Sequence, residues 1–449
     1  MKSQLLAVAV ALAVACLILQ LVFSSSNDFL KYEVEGVFVG ELKHTIQITN
    51  PWQTPIRGGK LIVPLVKNQT GRHYAVLRSV SASGGMFHGP TLLNYDSGNI
   101  YLYWSDITIN PEAAFNVELT YLILSFSVKY TINASRLVEY NVESELYKRY
   151  TQPEQLIESD NPKIVNAARE IVGGEANSHV KALLIYNFVV EHLKYEVQKE
   201  EKGALWALEN GVGDCSEYSY LFVALCRAAG IPARIQAGFA FHHDSGVVED
   251  GHMWAEYYLE DYGWIPVDAA WRMFGQIDHR HLSSIQSIPE IPYANYLFNQ
   301  TAGKKPEDKQ SVRLSPMSVG GFPDGQFVEA ISQAVQRIKP VELGVLLGKI
   351  LGGKILFPSE VEAVELKVLE SKICIQRAVD SWETGSKTAL NEAFKALDKA
   401  DEALKCAWIV VVKTFILYIG ISLILTAIFV SLVRRCSRSL QQHNSYNVQ

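Results

Sequence analysis

Between residues 30 and 135 apolar and polar positions alternate in short segments: Tyr32 to Val39, His44 to Thr49, Lys60 to Leu65, Ile100 to Trp104, Ala114 to Leu122 and Phe126 to Ile132. A period of two buries one face of each segment and wets the other, so these are expected strands. Pro51, Pro55, Gly58, Gly84, Gly89, Pro90, Gly98 and Pro111 punctuate them, and the pattern predicts an all-β immunoglobulin-like sandwich over 27–140. The period then becomes helical at Pro162 to Ile171 and at His179 to Leu193, the second with Val180, Leu183, Leu184, Phe188 and Val189 on its apolar side. A further helix starts at Cys215, with Leu221, Phe222, Leu225 and Ala228 on one face and Gly230 as its stop. Alternation returns from His252 and again from Trp264 to Asp268. Helices followed by strands predict an α+β domain over 150–300 whose Cys215 helix packs on a sheet.

Downstream, 301–325 is polar and rich in Gly and Pro, the pattern of a linker. Residues 326–406 turn helical, and Leu390, Ala393, Leu397, Ala400 and Leu404 fall at heptad spacing, which suits either a coiled-coil stalk or a helix packed on the core. The segment VELGVLLGKILGGKIL suits a buried helix or one lying on a membrane surface. Two apolar runs are long enough to span a bilayer, Leu5 to Phe23 and Thr414 to Val433. The expected organisation is a transmembrane anchor or signal peptide at 1–26, a transmembrane helix at 407–433 and a tail at 434–449. Arg434, Arg435 and Arg438 place that tail in the cytoplasm, and Lys2 places the other end there too. Everything between is then extracellular, in keeping with sequons at Asn68, Asn133 and Asn299.

A net charge of -6 argues against a nucleic-acid partner. The six cysteines show neither framework nor metal spacing. His242, His243, Asp244, Glu249, Asp250, Asp278, His279 and His281 crowd together in sequence but match no zinc or calcium pattern, so they are expected to be solvated loop residues, with no metal and no cofactor.

Chemistry concentrates in GVGDCSEYSYLFVALCRAAG and GHMWAEYYLEDYGWIPVDAAW. A thiol at a helix N-terminus meets unpaired N–H groups and the positive end of the macrodipole, which favours thiolate; Cys226, deeper in the same helix, is expected to be inert. His252 and Asp268 are an even number of residues apart, so a hairpin puts them on one face only if its loop is odd or bulged, and Gly263 suits a left-handed bulge. The hairpin is therefore predicted to carry a Gly263 bulge or a three- or five-residue loop.

The residues GDC with the helix after them, HMWAE and GWIPVD resemble the core of the transglutaminase-like superfamily, in its membrane-anchored prokaryotic form, over roughly 155 to 300. The resemblance implies a papain-like arrangement with Cys215 as nucleophile, His252 as general base and acid and Asp268 orienting the imidazole. It implies thiol attack on amide bonds of a peptide or protein substrate through a thioester, with hydrolysis as the first expectation. Cross-linking of Gln to Lys is one alternative, and a non-catalytic surface scaffold is another. The Cys215 N–H is the natural oxyanion donor. Trp206 and Trp254 are candidate substrate or oxyanion-side residues. Beyond substrate and membrane, the β-sandwich or the helical stalk offers a surface for a protein partner.

Overall fold

The computed structural model describes residues 30–95, 98–286, 295–350, 353–383 and 385–446. The expected N-terminal membrane segment lies outside them. The first strands are β1 (Tyr32–Thr49), β2 (Ile56–Pro64), β3 (His73–Ser83), β4 (Met86–Asn94), β5 (Ile100–Ile109) and β6 (Ala114–Tyr130). Expected segments Tyr32 to Val39 and His44 to Thr49 are one continuous strand, β1, and the last two expected segments join in β6, which ends at Tyr130, two residues short of Ile132. β3 and β4 are additional to the expected strands: from Ala75 on their side chains are partly or fully exposed and leave no apolar alternation in the sequence.

Helices Pro162–Val172 and Ser178–His192 lead into the short strands β7 (Lys194–Tyr195) and β8 (Val212–Gly213), with helix Ala204–Asn210 between them. Helix Cys215–Ala228 follows, then β9 (Ala233–Ala240), β10 (Gly246–Val248), β11 (His252–Leu259), β12 (Gly263–Asp268), β13 (Met273–Phe274), β14 (Gln276–Ile277), β15 (His281–Gln286), β16 (Leu297–Asn299) and β17 (Glu307–Pro316). Strands β13-β12-β11-β9-β15 make one sheet, and the Cys215 helix lies on it. Leu221, Phe222 and Leu225 of that helix are fully buried against Ile185, Val189 and Ile265.

The first domain is not closed within its own stretch of chain. Its larger sheet runs β10-β17-β1-β6-β14, with β3 also on β6, and its smaller sheet runs β16-β2-β5-β4. The expected linker at 301–325 is therefore corrected: it contains β17, paired with β1 from Gly40↔Pro316 to Thr49↔Glu307. Only Val312 and Leu314 of β17 are buried, so its apolar signal is too sparse to read as a strand. Trp104, Phe115 and Tyr121 fill the space between the two sheets together with Phe239 and Leu282 from the following domain, which fixes the second domain on the first.

Helices Gly325–Ile350, Pro358–Asp380 and Lys387–Tyr446 pack together, and the first two also pack against β1, so the helical region is docked on the sheet and is not a free stalk. The heptad pattern survives, but its buried seam is Ala389, Ala393, Ala396, Ala400 and Ala403, with Leu390, Leu397 and Leu404 at its margin. Small side chains let the helices approach closely. The last helix then continues as an exposed apolar surface through Phe415, Leu423 and Phe429 to Val433. Among the described residues it is the one helix long and apolar enough to cross a membrane. Beside the start of this exposed stretch, at Ala407 to Tyr418, Leu343, Leu346, Leu347 and Ile350 of the VELGVLLGKI segment are also exposed.

Candidate active site

The GDC tripeptide is dictated locally. Asp214 caps the Cys215–Ala228 helix by accepting from the Ser216 N–H at 3.0 Å, while the Asp214 N–H donates to Glu217 Oε2 at 3.1 Å, a complete capping box. Glu217 is fully buried and also accepts from the Lys202 N–H at 2.9 Å. Residue 213 must be glycine, because a Cβ there would sit 2.3 Å from the Cβ of Glu217. The cysteine is thereby held at the first helical position, half-buried, with its thiol facing the cleft.

The β11–β12 hairpin has the predicted odd loop. Leu259 pairs with Gly263, leaving the three residues Glu260 to Tyr262 between them, and Gly263 takes φ +80°. His252 and Asp268 consequently share a face, and His252 Nε2 lies 2.7 Å from Asp268 Oδ2. With Nε2 on the carboxylate, Nδ1 is the ring nitrogen left for sulfur, and Cys215 lines the same cleft as His252, its thiol near enough to help raise the imidazolium. The structure thus brings all three expected residues together.

It adds a fourth. His281, expected to be a solvated loop residue, is buried at the head of β15 and places Nε2 3.2 Å from Asp268 Oδ2 and Nδ1 2.9 Å from Asp278 Oδ1. The Trp271 N–H donates to Asp268 Oδ1 at 2.9 Å. Trp271 also covers the His252 ring, the centroids being 4.8 Å apart. No motif pointed to His281, because β15 pairs with β9 rather than with its neighbour in sequence.

The carboxylate and the two imidazoles support one another's charge. Burial disfavours a charged His252, but the field and hydrogen bond of Asp268, with the Cys215 contact, outweigh it and raise the imidazolium to about 9. His281 is likewise raised to about 9, burial being outweighed by Asp268 and Asp278. Burial alone would raise Asp268; His252 and His281 instead hold it well below the carboxylate range. These three side chains also form the one group of His, Cys, Asp and Glu among the described residues that could gather round a metal ion, with donor atoms within 4.8 Å. Their donors and acceptors are already engaged with one another. His279, by contrast, bonds Ser127 Oγ and Asp244 Oδ1 at 2.8 and 2.9 Å, away from the thiol.

A cleft of about 240 Å³ opens over Cys215 and His252, walled by Gly238, Met253, Ser284 and Asn295. Neither tryptophan candidate lines it. Trp206 is half-buried on helix Ala204–Asn210, and Trp254 is 2% exposed, edge-on to His281 at 5.3 Å. Cys226 is fully buried and its thiol is pushed well up by burial, the environment of an inert thiol.

Residues 165–269 match the family model described as the transglutaminase-like superfamily. That segment is a transglutaminase-like core domain. An uncharacterized protein of Haemophilus influenzae is 35% identical to this chain over 22% of the chain and 34% of its own length. The chain therefore spans about a third of the curated relative it matches. Among solved structures, a candidate cysteine protease from Cytophaga hutchinsonii aligns over 64% of this chain and 93% of its own at 18% identity, with a TM-score of 0.49. The periplasmic domain of TgpA from Pseudomonas aeruginosa, solved with ethylmercury, aligns over 52% and 90% at 14% identity, with a TM-score of 0.28. The transglutaminase-like core is the part of the chain that carries Cys215, His252 and Asp268.

Proposed function

We propose that the protein is a membrane-anchored thiol hydrolase, a peptidase or amidase, whose transglutaminase-like core attacks amide bonds of peptides or proteins outside the cytoplasm. The observation that carries this reading is the His252 imidazole, held between the Cys215 thiol and the Asp268 carboxylate on the wall of an open cleft. In this mechanism the Cys215 thiolate adds to the amide carbonyl, and the developing oxyanion is met by the Cys215 N–H at the helix start. His252 gives its Nδ1 proton to the departing amine, leaving a thioester. Water, deprotonated by the now neutral His252, then releases the acid and regenerates the thiol. Asp268 keeps the ring oriented throughout. The C-terminal helix anchors the protein, the arginines beyond it mark the cytoplasmic side, and an N-terminal span returns the other end there. The two facing sheets support reading the first domain as an immunoglobulin-like sandwich, elaborated by late strands, that frames the core or receives a partner.

A thiol-directed activity probe tests the chemistry: it labels Cys215, leaves Cys226 unlabelled, and loses Cys215 labelling on His252→Ala. Absence of any labelling would point to a scaffold. Product analysis with a Gln-bearing protein and a primary amine distinguishes the outcomes of turnover, since cleaved or deamidated product without amine incorporation means hydrolysis. The raised imidazolium also predicts a pH limit. Turnover falls above about pH 9 as His252 loses the proton needed by the leaving amine, visible as the alkaline limb of kcat/KM.

A further inference from the structure

A second cavity, of about 450 Å³, lies further along the His252 face of β11. Glu256 forms part of its wall and shares a strand face with His252 and Trp254, so the two sites are about 13 Å apart along the strand. Four cationic side chains, Lys31, Lys67, Arg72 and Arg234, border it against the carboxylates of Glu256 and Asp380. Both carboxylates are already met. Glu256 accepts from Arg234, Gln236 and Gln69, each at 2.8 Å, and Asp380 accepts from Tyr32 Oη at 2.5 Å and Gln376 Nε2 at 3.2 Å.

The cations are met less fully. Lys67 Nζ is buried without a hydrogen-bond partner among the described residues, on a residue only 9% exposed. Arg72, 6% exposed, donates through Nη2 to Tyr130 Oη at 3.0 Å and to the Trp264 carbonyl at 3.1 Å, which leaves its buried Nη1 unmet. Burying an unmet cation is costly, and proteins rarely retain one without a counter-charge. Burial, with Arg234 adding to it and Glu256 opposing, lowers the Lys67 ammonium to about 7. A positive surplus with unmet donors in a cavity of this size matches a dianion whose several oxygens accept from both.

We propose that this cavity binds a soluble oxyanion of the phosphate class, free phosphate or a small phosphomonoester, through Lys67 and Arg72. A lipid headgroup is out of reach. Asp380, on the cavity wall, ends the helix whose other end, at Glu360 and Val361, meets Lys413 and Val410 of the candidate span, and nineteen helical residues put about 28 Å between them. The site also adjoins the cleft: Pro64, Ser284 and Ile285 line the cleft, whereas Lys67 and Gln286, a few residues further on, line the second cavity.

The test uses the full chain in detergent, with calorimetric titration and thermal unfolding in inorganic phosphate against sodium chloride of equal ionic strength. Wild type binds phosphate saturably and melts higher in it. Lys67→Met weakens that affinity about tenfold or more, the loss of one charge-assisted hydrogen bond, yet melts higher than wild type in chloride because a buried unpaired ammonium is gone. Arg72→Gln weakens binding as well, and Cys215→Ala leaves it unchanged. The proposal is overturned if wild type shows no saturable phosphate binding, or if Lys67→Met binds as tightly as wild type. Lys67-dependent stabilisation by nanodiscs containing phosphatidic acid, without any by free phosphate, overturns it too.

Discussion

Replacing Cys215 with alanine lowers amide turnover by about 10⁴-fold or more while leaving the fold intact, because the nucleophile and the proton-transfer pair act as a unit. The fold is expected to survive because the capping box that starts the helix is made by Asp214, Ser216 and Glu217, not by the thiol. A half-buried sulfur at the cleft rim also leaves little void when removed. The measurement is kcat on a peptide mixture read by mass spectrometry, with far-ultraviolet circular dichroism as the control for folding. Turnover retained within a hundredfold of wild type would sink the assignment of Cys215. The same exchange at Cys226 leaves kcat unchanged, since that thiol faces the helix core.

The second large effect is on stability. Asp268→Ala leaves two buried imidazoles without the carboxylate that supports their charge, and removal of one partner from a buried charged network costs about 3–5 kcal/mol. The sign of the pH dependence follows from the three shifts. Asp268 is depressed, so its contribution is complete above the ordinary carboxylate value of about 4 and is lost as the pH falls through its lower folded value. His252 and His281 are raised from 6.5 to about 9, so theirs is complete below 6.5 and lost as the pH rises through 9. The network therefore contributes most between about pH 4 and 6.5. Thermal unfolding of the variant should show its largest deficit near pH 6 and a much smaller one above pH 9. Equal deficits at both would mean that packing, not charge, holds the three residues together. The alkaline limb of any residual activity moves down toward the ordinary histidine value as well.

The position of the thiol was legible because each local cause sits within a few residues of it: a glycine that cannot carry a Cβ, an aspartate cap, a buried glutamate at N3 and an apolar helix face. Once His252 and Asp268 are required on one face, parity is enough to restrict the hairpin to a bulged or odd loop, and the three-residue form is the one found. What escaped was set by partners distant in sequence. His281 is defined by its contact with Asp268 across the sheet, and from sequence it looks like one more polar residue in a histidine- and aspartate-rich loop. β17 buries two apolar side chains and is held by backbone pairing with β1, for which sequence offers no pattern. The docking helix shows leucines at heptad spacing, yet it turns the adjacent alanines inward, because close approach to two neighbours rewards small residues over large ones. Trp254 is taken by core packing, and Trp206 stays half-buried on its own helix, so neither reaches the cleft.

The pairing of β1 with β17 joins segments roughly 260 residues apart, so the earliest strand of the frame has to wait for the latest before its sheet is whole. As the chain emerges from its N-terminus, β1 and β6 can meet, but the outer edge of β1 stays open until Pro316 has appeared. During that interval the exposed edge is a template for the wrong neighbour. Assembly of the frame is therefore paced by closure of one long loop, and a fragment that stops before β17 inherits an unfinished sheet.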